Sequence, residues 1–427
     1  MTTIAPGRKR LLATWDKHRD CDLASHLNAH GALPLTRRPE DVWTRLIAAV
    51  EMSGLAGRGG AGFPTARKLR LAKDSRASTL VVNSMEAEPE SRKDWVLVNY
   101  APHLVLDGAE VVALALGIER VVVCVAANQP QSVASLRSAI AERRGYRIIR
   151  PRVDVITLAD RLVAGEESAI AAGVDGRRPV PVFRPDKSVP IRVGRNPALV
   201  QNAETLAQVG LLFRYGPDWF RTVGTDDSPG TTLVTIVGSV ALPGVHEVPF
   251  GLPIGHIVDR AGPDANWSAV LVGGYGGTWL GASARKVLYE PRALAEKGAA
   301  IGPGVLLVLG ASKCGLAETA RIARYMARES AGQCGPCLHG LPAIAEDLTR
   351  LVGGHGDAPT LERIRKRCRI VTGRGACKHP DGLARLVVSS LRVFSEDAEI
   401  HSSGRPCSGT RDGSILAIGR QSPESFR

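Results

Sequence analysis

Residues 54–68 read GLAGRGGAGFPTARK, with glycine at 54, 57, 59, 60 and 62. Glycine lets a backbone approach a bound group closely and adopt conformations closed to other residues. Residues 57–62 could therefore turn N–H groups toward a phosphate or a flavin ring. Arg58 and Lys68 would add positive charge. The spacing is not G-x-x-x-x-G-K-[ST], so this is no P-loop. It does fit G-x-G-x-x-G, but it follows a helical pattern rather than a strand, so the dinucleotide fingerprint is weak. A plain flexible loop is the competing reading.

Upstream, Arg37, Arg38 and Pro39 lead into Glu40, Asp41 and the apolar-periodic Val42, Leu46, Ile47 and Val50. That pattern predicts a helix start after a loosely structured lead-in, 1–45. Downstream, strands are predicted at 79–83, 121–126 and 153–158. Helices are predicted at 104–116 and 131–142, the second opened by Pro130. Strands alternating with such helices predict a parallel or mixed α/β sheet. Residues 175–200, rich in Pro and Arg, are read as a connector. The stretch 231–280 changes character, with TTLVTIVGSV, a Leu242-Pro243-Gly244 turn, VHEVPF and an amphipathic segment at 254–261. It predicts a small β-rich module. Another strand is expected at 303–310, and helices from 317 onward. Beyond Glu399 the chain is Ser-, Gly- and Arg-rich and expected to be mobile.

A chain of 427 residues suggests two to four domains. Lys and Arg number 55 against 42 Asp and Glu, a net charge of +13. That charge admits nucleic acid or an acidic protein as a partner. Nucleic acid is disfavoured, because aromatics are only 4% and no recognition motif accompanies the dispersed basic residues. The first twenty residues carry no apolar run of a secretory signal. The longest apolar stretches, 111–118 and 121–127, fall short of the ~20 residues of a membrane span. A cytoplasmic location without direct membrane insertion is expected, where close-set cysteines suggest metal or redox work.

Eight cysteines are present. Cys334-Gly-Pro-Cys337 follows a predicted helix, 317–330, with Ala320, Ala323 and Met326 inward and Arg321, Arg324 and Arg328 outward. Cys377 lies in GRGACKHPDG (373–382). C-x-x-C with a distant cysteine suits zinc or an iron–sulfur cluster. Reduced surface thiols with a core cysteine, or a redox couple, are the alternatives. Cys368 falls on an apolar helix face and reads as core. Cys21, Cys124 and Cys407 have no metal-ligand context. Acidic groups cluster at Glu86 and Glu88, at Glu166 and Glu167, and around Asn202, Glu204 and Thr205. They read as helix caps or as polar ligand contacts.

Taken in order, GLAGRGGAGFPTARK (54–68), NSMEAEPE (83–90), AGEESAI (164–170), NAETLAQV (202–209), ESAGQCGPC (329–337) and Cys377 resemble one family. It is the NADH-binding flavoprotein subunit of respiratory complex I, whose module recurs in bidirectional hydrogenases and formate dehydrogenases. Residues 231–280 resemble that family's soluble-ligand-binding β-grasp (SLBB) module. The resemblance implies an α/β FMN-binding domain at 46–225, an SLBB β-grasp module at 226–300, a C-terminal helical iron–sulfur domain at 301–398 and a flexible tail at 399–427. It also implies NADH oxidation at FMN, with electrons leaving through an iron–sulfur cluster. The acceptor would be an acidic redox protein such as ferredoxin, steered by the +13 charge, or other oxidoreductase subunits. The chain would work in the cytoplasm or at the periphery of a membrane complex.

Carried over by position, Arg58, Gly59, Gly60 and Gly62 would cradle FMN. Phe63 would stack near the dinucleotide, and Lys68 would pair with phosphate or the flavin edge. Asn83 and Asn202 would hydrogen-bond the flavin or its ribityl phosphate. Glu86, Glu88 and Glu167 match acidic positions near the nicotinamide and riboses, which favours NADH over NADPH. Glu166 shares the Glu167 motif, Gly165 would lie under the flavin, and Thr205 would cap a helix or meet phosphate. Cys334, Cys337 and Cys377 would ligate the cluster. No acid or base residue is implied. The chain departs from the family at Ala331, where a cluster cysteine is expected, at Met85 and at Leu162. Three thiolates leave open a [3Fe-4S] cluster, or a [4Fe-4S] cluster recruiting Cys314, Cys368, His339, His379 or an external ligand. They also leave open a labile or lost cluster. The departures keep a second reading in play, a non-catalytic flavin- or dinucleotide-binding scaffold or sensor.

Overall fold

The computed structural model describes residues 10–13, 21–36, 38–145, 151–186, 189–264, 266–410 and 413–416. The N-terminal unit contains α1 (Leu23–His30), α2 (Pro39–Ser53), α3 (Thr65–Asp74), β1 (Thr79–Ser84), α4 (Lys93–Tyr100), α5 (Pro102–Leu116), β2 (Arg120–Ala126), α6 (Pro130–Gly145), β3 (Arg152–Leu158), α7 (Glu167–Val174), β4 (Arg192–Val193), β5 (Asn196–Asn202) and α8 (Ala203–Arg221). Its sheet has the order β3-β2-β1-β5-β4, parallel except for the β4–β5 pair. The inner strands are apolar along their length because both faces are covered. Leu80, Val82, Val121, Val123 and Val125 pack toward α2, α5 and α8. The alternating residues Val81, Val122 and Cys124 pack toward Ile170 and Ala171 of α7. α5 crosses α8 so closely that a Cβ on Gly108 would stand 1.8 Å from the Leu206 carbonyl oxygen.

This topology creates the crevice. β2 lies on one side of β1 and β5 on the other, so the connections leave in opposite directions. In open α/β sheets such a switch point, at the carboxyl ends of the strands, is where ligands bind. Asn83 and Asn202 are register partners there.

A second sheet follows, built from β6 (Thr231–Gly238), β7 (Gly244–Pro249), β8 (Ala269–Val272), β9 (Thr278–Gly281) and β10 (Val305–Leu309), with α9 (Ile254–Val258) and α10 (Pro291–Ala295) between strands. Its order is β7-β6-β10-β8-β9. β10 is central, parallel to β6 and antiparallel to β8. Residues 301–309 therefore belong to this sheet and not to the helical unit, because β10 finds its backbone partners here. One face is filled by Trp267, Tyr289 and Val248. The other, with Tyr275, Trp279 and Leu307, packs on the C-terminal helices. These are α11 (Gly315–Arg328), α12 (Leu341–Arg350), α13 (Ala358–Val371), α14 (His379–Val393) and α15 (Ser395–Ser402). Trp279 Nε1 donates to Thr319 Oγ1 at 3.0 Å, and the Trp279 amide donates to Ser389 Oγ at 3.0 Å.

Three further expectations are corrected. The lead-in is ordered where it is described: Leu11 and Leu23 are buried, and His26 pairs with Asp107 at 2.8 Å on α5. Residues 1–9 and 14–20, with Arg37, lie outside the described residues. The connector contains β4 and runs into β5, a strand masked in sequence by Pro197. Finally, the segment after Glu399 is docked rather than loose, with α15 running to Ser402 and Cys407 and Leu416 buried. Residues 411–412 and 417–427 lie outside the described set.

Candidate functional site

The two asparagines hold the crevice together. Asn83 Nδ2 donates to the Gly165 carbonyl at 3.1 Å. Asn202 is the N-cap of α8, its side-chain oxygen accepting the Glu204 amide at 3.0 Å, as capping requires. Its amide donates to Asp94 Oδ2 at 2.7 Å. The glycine loop closes over this point. Gly57 N donates to the Phe63 carbonyl at 2.9 Å, and Arg58 N donates to Thr205 Oγ1 at 2.8 Å. A Cβ on Gly59 would stand 3.2 Å from Asn202 Cβ. Gly60 has φ +105° and faces Gly302. Gly62, at φ +61°, faces open space.

A glycine turn, two carboxyamides and the N-terminus of a long helix thus meet at the strand ends. That donor set fits FMN, whose phosphate favours a helix N-terminus and whose ring needs a close backbone. The Arg58 side chain is committed beneath the loop. It donates to the carbonyls of Ala56 at 2.9 Å and Thr231 at 3.2 Å and lies over the Phe250 ring. Phe63 is half-buried, with the Arg67 guanidinium 5.6 Å from its ring centre. Lys68 Nζ pairs with Glu167 Oε1.

The remaining acidic residues divide by role. Glu86 caps α4, accepting from Asp94 N at 2.9 Å, Trp95 N at 2.7 Å and Ser91 Oγ at 2.8 Å. Burial, and then the neighbouring Asp94, raise its proton affinity. Glu166 caps α7, accepting from Ser168 N at 2.8 Å and Ala169 N at 3.2 Å. Glu88 reaches the second sheet and accepts from Tyr275 N at 3.1 Å. Burial pushes its carboxyl up to about 8. A Cβ on Gly274 would stand 2.6 Å from that carboxylate, so glycine makes its room.

Cys334, Cys337 and Cys377 lie within electrostatic range of one another. All three are free thiols. Burial pushes Cys337 up to about 12 and raises Cys377. Three sulfurs within electrostatic range of one another suit an iron–sulfur cluster. Of the candidate fourth ligands, Cys368 is core, His379 Nε2 is engaged with the Met326 carbonyl at 2.8 Å, and His339 is exposed. Cys314 lies elsewhere, 3.5 Å from His401 Nε2. Cys407 is a correction: it joins Cys314 and His401, their ligand atoms all within 4.8 Å of one another. Chain spacing could not have brought 314, 401 and 407 together.

The thiol loop abuts the flavin side of the crevice. Glu329 Oε2 accepts from Arg161 Nε at 2.9 Å and from Leu162 N at 3.1 Å. Gln333 Nε2 donates to the Pro181 carbonyl at 2.9 Å. Cys377 lies within electrostatic range of Glu166.

Sequence reasoning missed Lys93 and Asp94. Lys93 is 3% exposed, with Nζ 2.8 Å from Asp94 Oδ1, 3.1 Å from Glu204 Oε2 and 3.3 Å from Asn202 Oδ1. Burial works against its charge, but Asp94 and Glu204 outweigh it and hold it protonated. This ion cluster underlies Asn202. The only sequence signal was a Lys-Asp pair following the 83–90 motif.

Comparison with known proteins bears on the same residues. Residues 50–211 match the model described as Nuo51 FMN-binding domain. Residues 317–401 match the NADH-ubiquinone oxidoreductase-F iron-sulfur binding region. The chain is 31% identical over 372 residues to the F-type NADH-quinone oxidoreductase subunit of Salmonella typhimurium, covering 83% of each chain. It is 29% identical over 415 residues to the protein of the same name from Streptomyces coelicolor, covering 93% of this chain and 92% of the relative. It also resembles a crystal structure of NAD+-reducing [NiFe]-hydrogenase in the air-oxidized state, with TM-score 0.78 and 29% identity. That likeness covers 86% of this chain and 65% of the hydrogenase chain.

Proposed function

This chain belongs to the family of F-type NADH-quinone oxidoreductase subunits, and on that premise we propose how its own residues serve an NADH-oxidising FMN protein with an iron–sulfur region. The protein is an oxidoreductase component that transfers electrons. When bound, FMN supplies the conversion between two-electron and one-electron transfer, and the cluster supplies a single-electron outlet.

The glycine loop and the first turn of α8 would hold FMN, with Asn83, Asn202 and Gly165 among the residues that meet it. Thr205 fixes the loop through the Arg58 amide, and Arg58 braces it from below. Phe63 and Lys68 stand at the mouth, where NADH enters. Glu88 and Glu167 would meet the nucleotide's ribose hydroxyls, and the charge of Glu167 would disfavour a 2′-phosphate. Glu86 and Glu166 act one step back, through the helices they cap. Cys334, Cys337 and Cys377 hold the cluster, with Ala331 leaving one position without a protein thiolate. We assign the second sheet to an SLBB β-grasp module and the C-terminal helices to the iron–sulfur domain.

The observation that carries this reading is the shared carboxylate of Glu329. It ties the flavin-side turn at Arg161 and Leu162 to the loop bearing Cys334 and Cys337. Electron transfer between two centres needs them held at a fixed, short separation, and a carboxylate at the start of the thiol loop accepting twice from the flavin-side turn supports that. Among the described residues no helix is long and apolar enough to cross a membrane. Work at the periphery of a larger complex, beside other oxidoreductase subunits, is the proposed setting. An acidic ferredoxin is the proposed acceptor, because the +13 charge would steer it.

Anaerobic addition of NADH to the flavin-loaded protein tests the reading. Bleaching of the flavin absorbance supports it. A bound flavin indifferent to NADH favours the scaffold reading. Turnover with an acidic ferredoxin should fall steeply as salt rises, and a flat salt profile removes that partner.

A further inference from the structure

We propose that Cys314, His401 and Cys407 form a zinc site, separate from the iron–sulfur cysteines, that clamps the C-terminal segment onto the start of α11. The three side chains are buried, and their ligand atoms all lie within 4.8 Å of one another. They come from three places: the N-cap of α11, α15, and the segment following α15.

The geometry is already close to that of a bound ion. Cys314 Sγ is 3.5 Å from His401 Nε2. Zinc at about 2.3 Å from sulfur and about 2.05 Å from nitrogen holds tetrahedral S and N donors roughly 3.5 Å apart. His401 is fully buried, and its Nδ1 has no hydrogen-bond partner. Apolar packing does not account for a buried imidazole with one nitrogen against a thiol and the other unpartnered.

Two thiolates and an imidazole make a donor set that suits zinc, a borderline-soft ion. Asp397, one helical turn before His401, lies within electrostatic range of Cys314 and His401. It is a carboxylate candidate for the fourth position, which a water would otherwise fill. Zinc binding would convert both thiols to thiolates and release their two protons to solvent.

The surrounding contacts show what the ion would hold. A Cβ on Gly409 would stand 2.6 Å from the Cys314 amide nitrogen, so the tail crosses there at glycine distance. Farther on, Ser414 Oγ donates to Glu318 Oε2 at 3.1 Å and Ile415 N donates to Glu318 Oε1 at 3.1 Å. The tail is therefore laid along α11, whose far end leads into the thiol loop.

The test offers zinc alone to the metal-depleted full-length protein and measures bound metal by mass spectrometry and zinc K-edge absorption. The expected result is about one tightly held zinc per chain, with two sulfur neighbours near 2.3 Å. Cys407→Ser and His401→Ala should each lose it. The double variant Cys334→Ser/Cys377→Ser, which dismantles the cluster site, should keep it. Three results would overturn the proposal: no retained zinc, zinc that leaves with Cys334 and Cys377 instead, or a Cys314–Cys407 disulfide in the purified protein. Because the absorption spectrum is read on the unsubstituted chain, the proposal stays testable even where a variant fails to fold.

Discussion

Lys68 and Glu167 form an ion pair that joins the first turn of α3 to the first residue of α7, at the mouth of the crevice. Their side chains are 23% and 42% exposed. A pair this open contributes at most about 1 kcal/mol to stability. On the proposed reading it holds a cation where a phosphate-bearing nucleotide would enter. Lys68→Met is expected to leave the melting temperature nearly unchanged and to raise KM for NADH by roughly tenfold, the loss of one charge-assisted hydrogen bond. Steady-state kinetics separating KM from kcat check this.

Lys93 is the opposite case. It is buried against Asp94 and Glu204. Removing one member of a buried ion cluster leaves the others unpaired, at a cost of about 3–5 kcal/mol. Lys93→Met should unfold at markedly lower denaturant and hold less FMN, because Asn202 loses its support. Urea titration with flavin fluorescence reads both effects.

Glu88 makes stability pH-dependent. Its folded carboxyl titrates near 8, against an ordinary value of 4.5, because burial disfavours the charged form. A carboxyl raised in the fold contributes stability that is fully present below 4.5 and is lost as pH rises through about 8. The ligand-free protein should therefore lose thermal stability between pH 6 and pH 9. Other buried carboxyls add to the trend, so the comparison with Glu88→Gln is decisive. That variant should show a shallower fall over the same range.

The proposed cluster site makes iron content depend on position 331. Ala331→Cys supplies the thiolate missing beside Cys334 and Cys337, and Cys377→Ser removes one that is present. The first should increase iron retained through aerobic purification. The second should abolish it. Iron and sulfide assays on both, beside the unsubstituted chain, decide the matter.

Much of this was legible in the sequence where the signal is local. The alternation of β-branched runs with helices announced the parallel sheet, and the glycine loop announced a close backbone approach. The acidic motifs were legible as a choice between caps and ligand contacts. Glu86 and Glu166 proved to be caps, whereas Glu167 remained in the crevice. What stayed hidden depends on distant parts of the chain. β5 was obscured by Pro197, which costs one ladder donor yet is tolerated beside the short, antiparallel β4. Lys93 and Asp94 look like surface charges until Glu204 arrives from more than a hundred residues away. Cys314, His401 and Cys407 have no spacing motif, because two helix ends and a tail bring them together.

The central claim is that electrons from NADH reach an iron–sulfur centre held by Cys334, Cys337 and Cys377. Its most direct test is low-temperature electron paramagnetic resonance on anaerobically purified protein, before and after NADH. The predicted result is an iron–sulfur signal that changes on NADH addition and is absent from Cys377→Ser. Protein that binds FMN but contains no iron or sulfide, or a cluster whose signal NADH leaves unchanged, would contradict the claim.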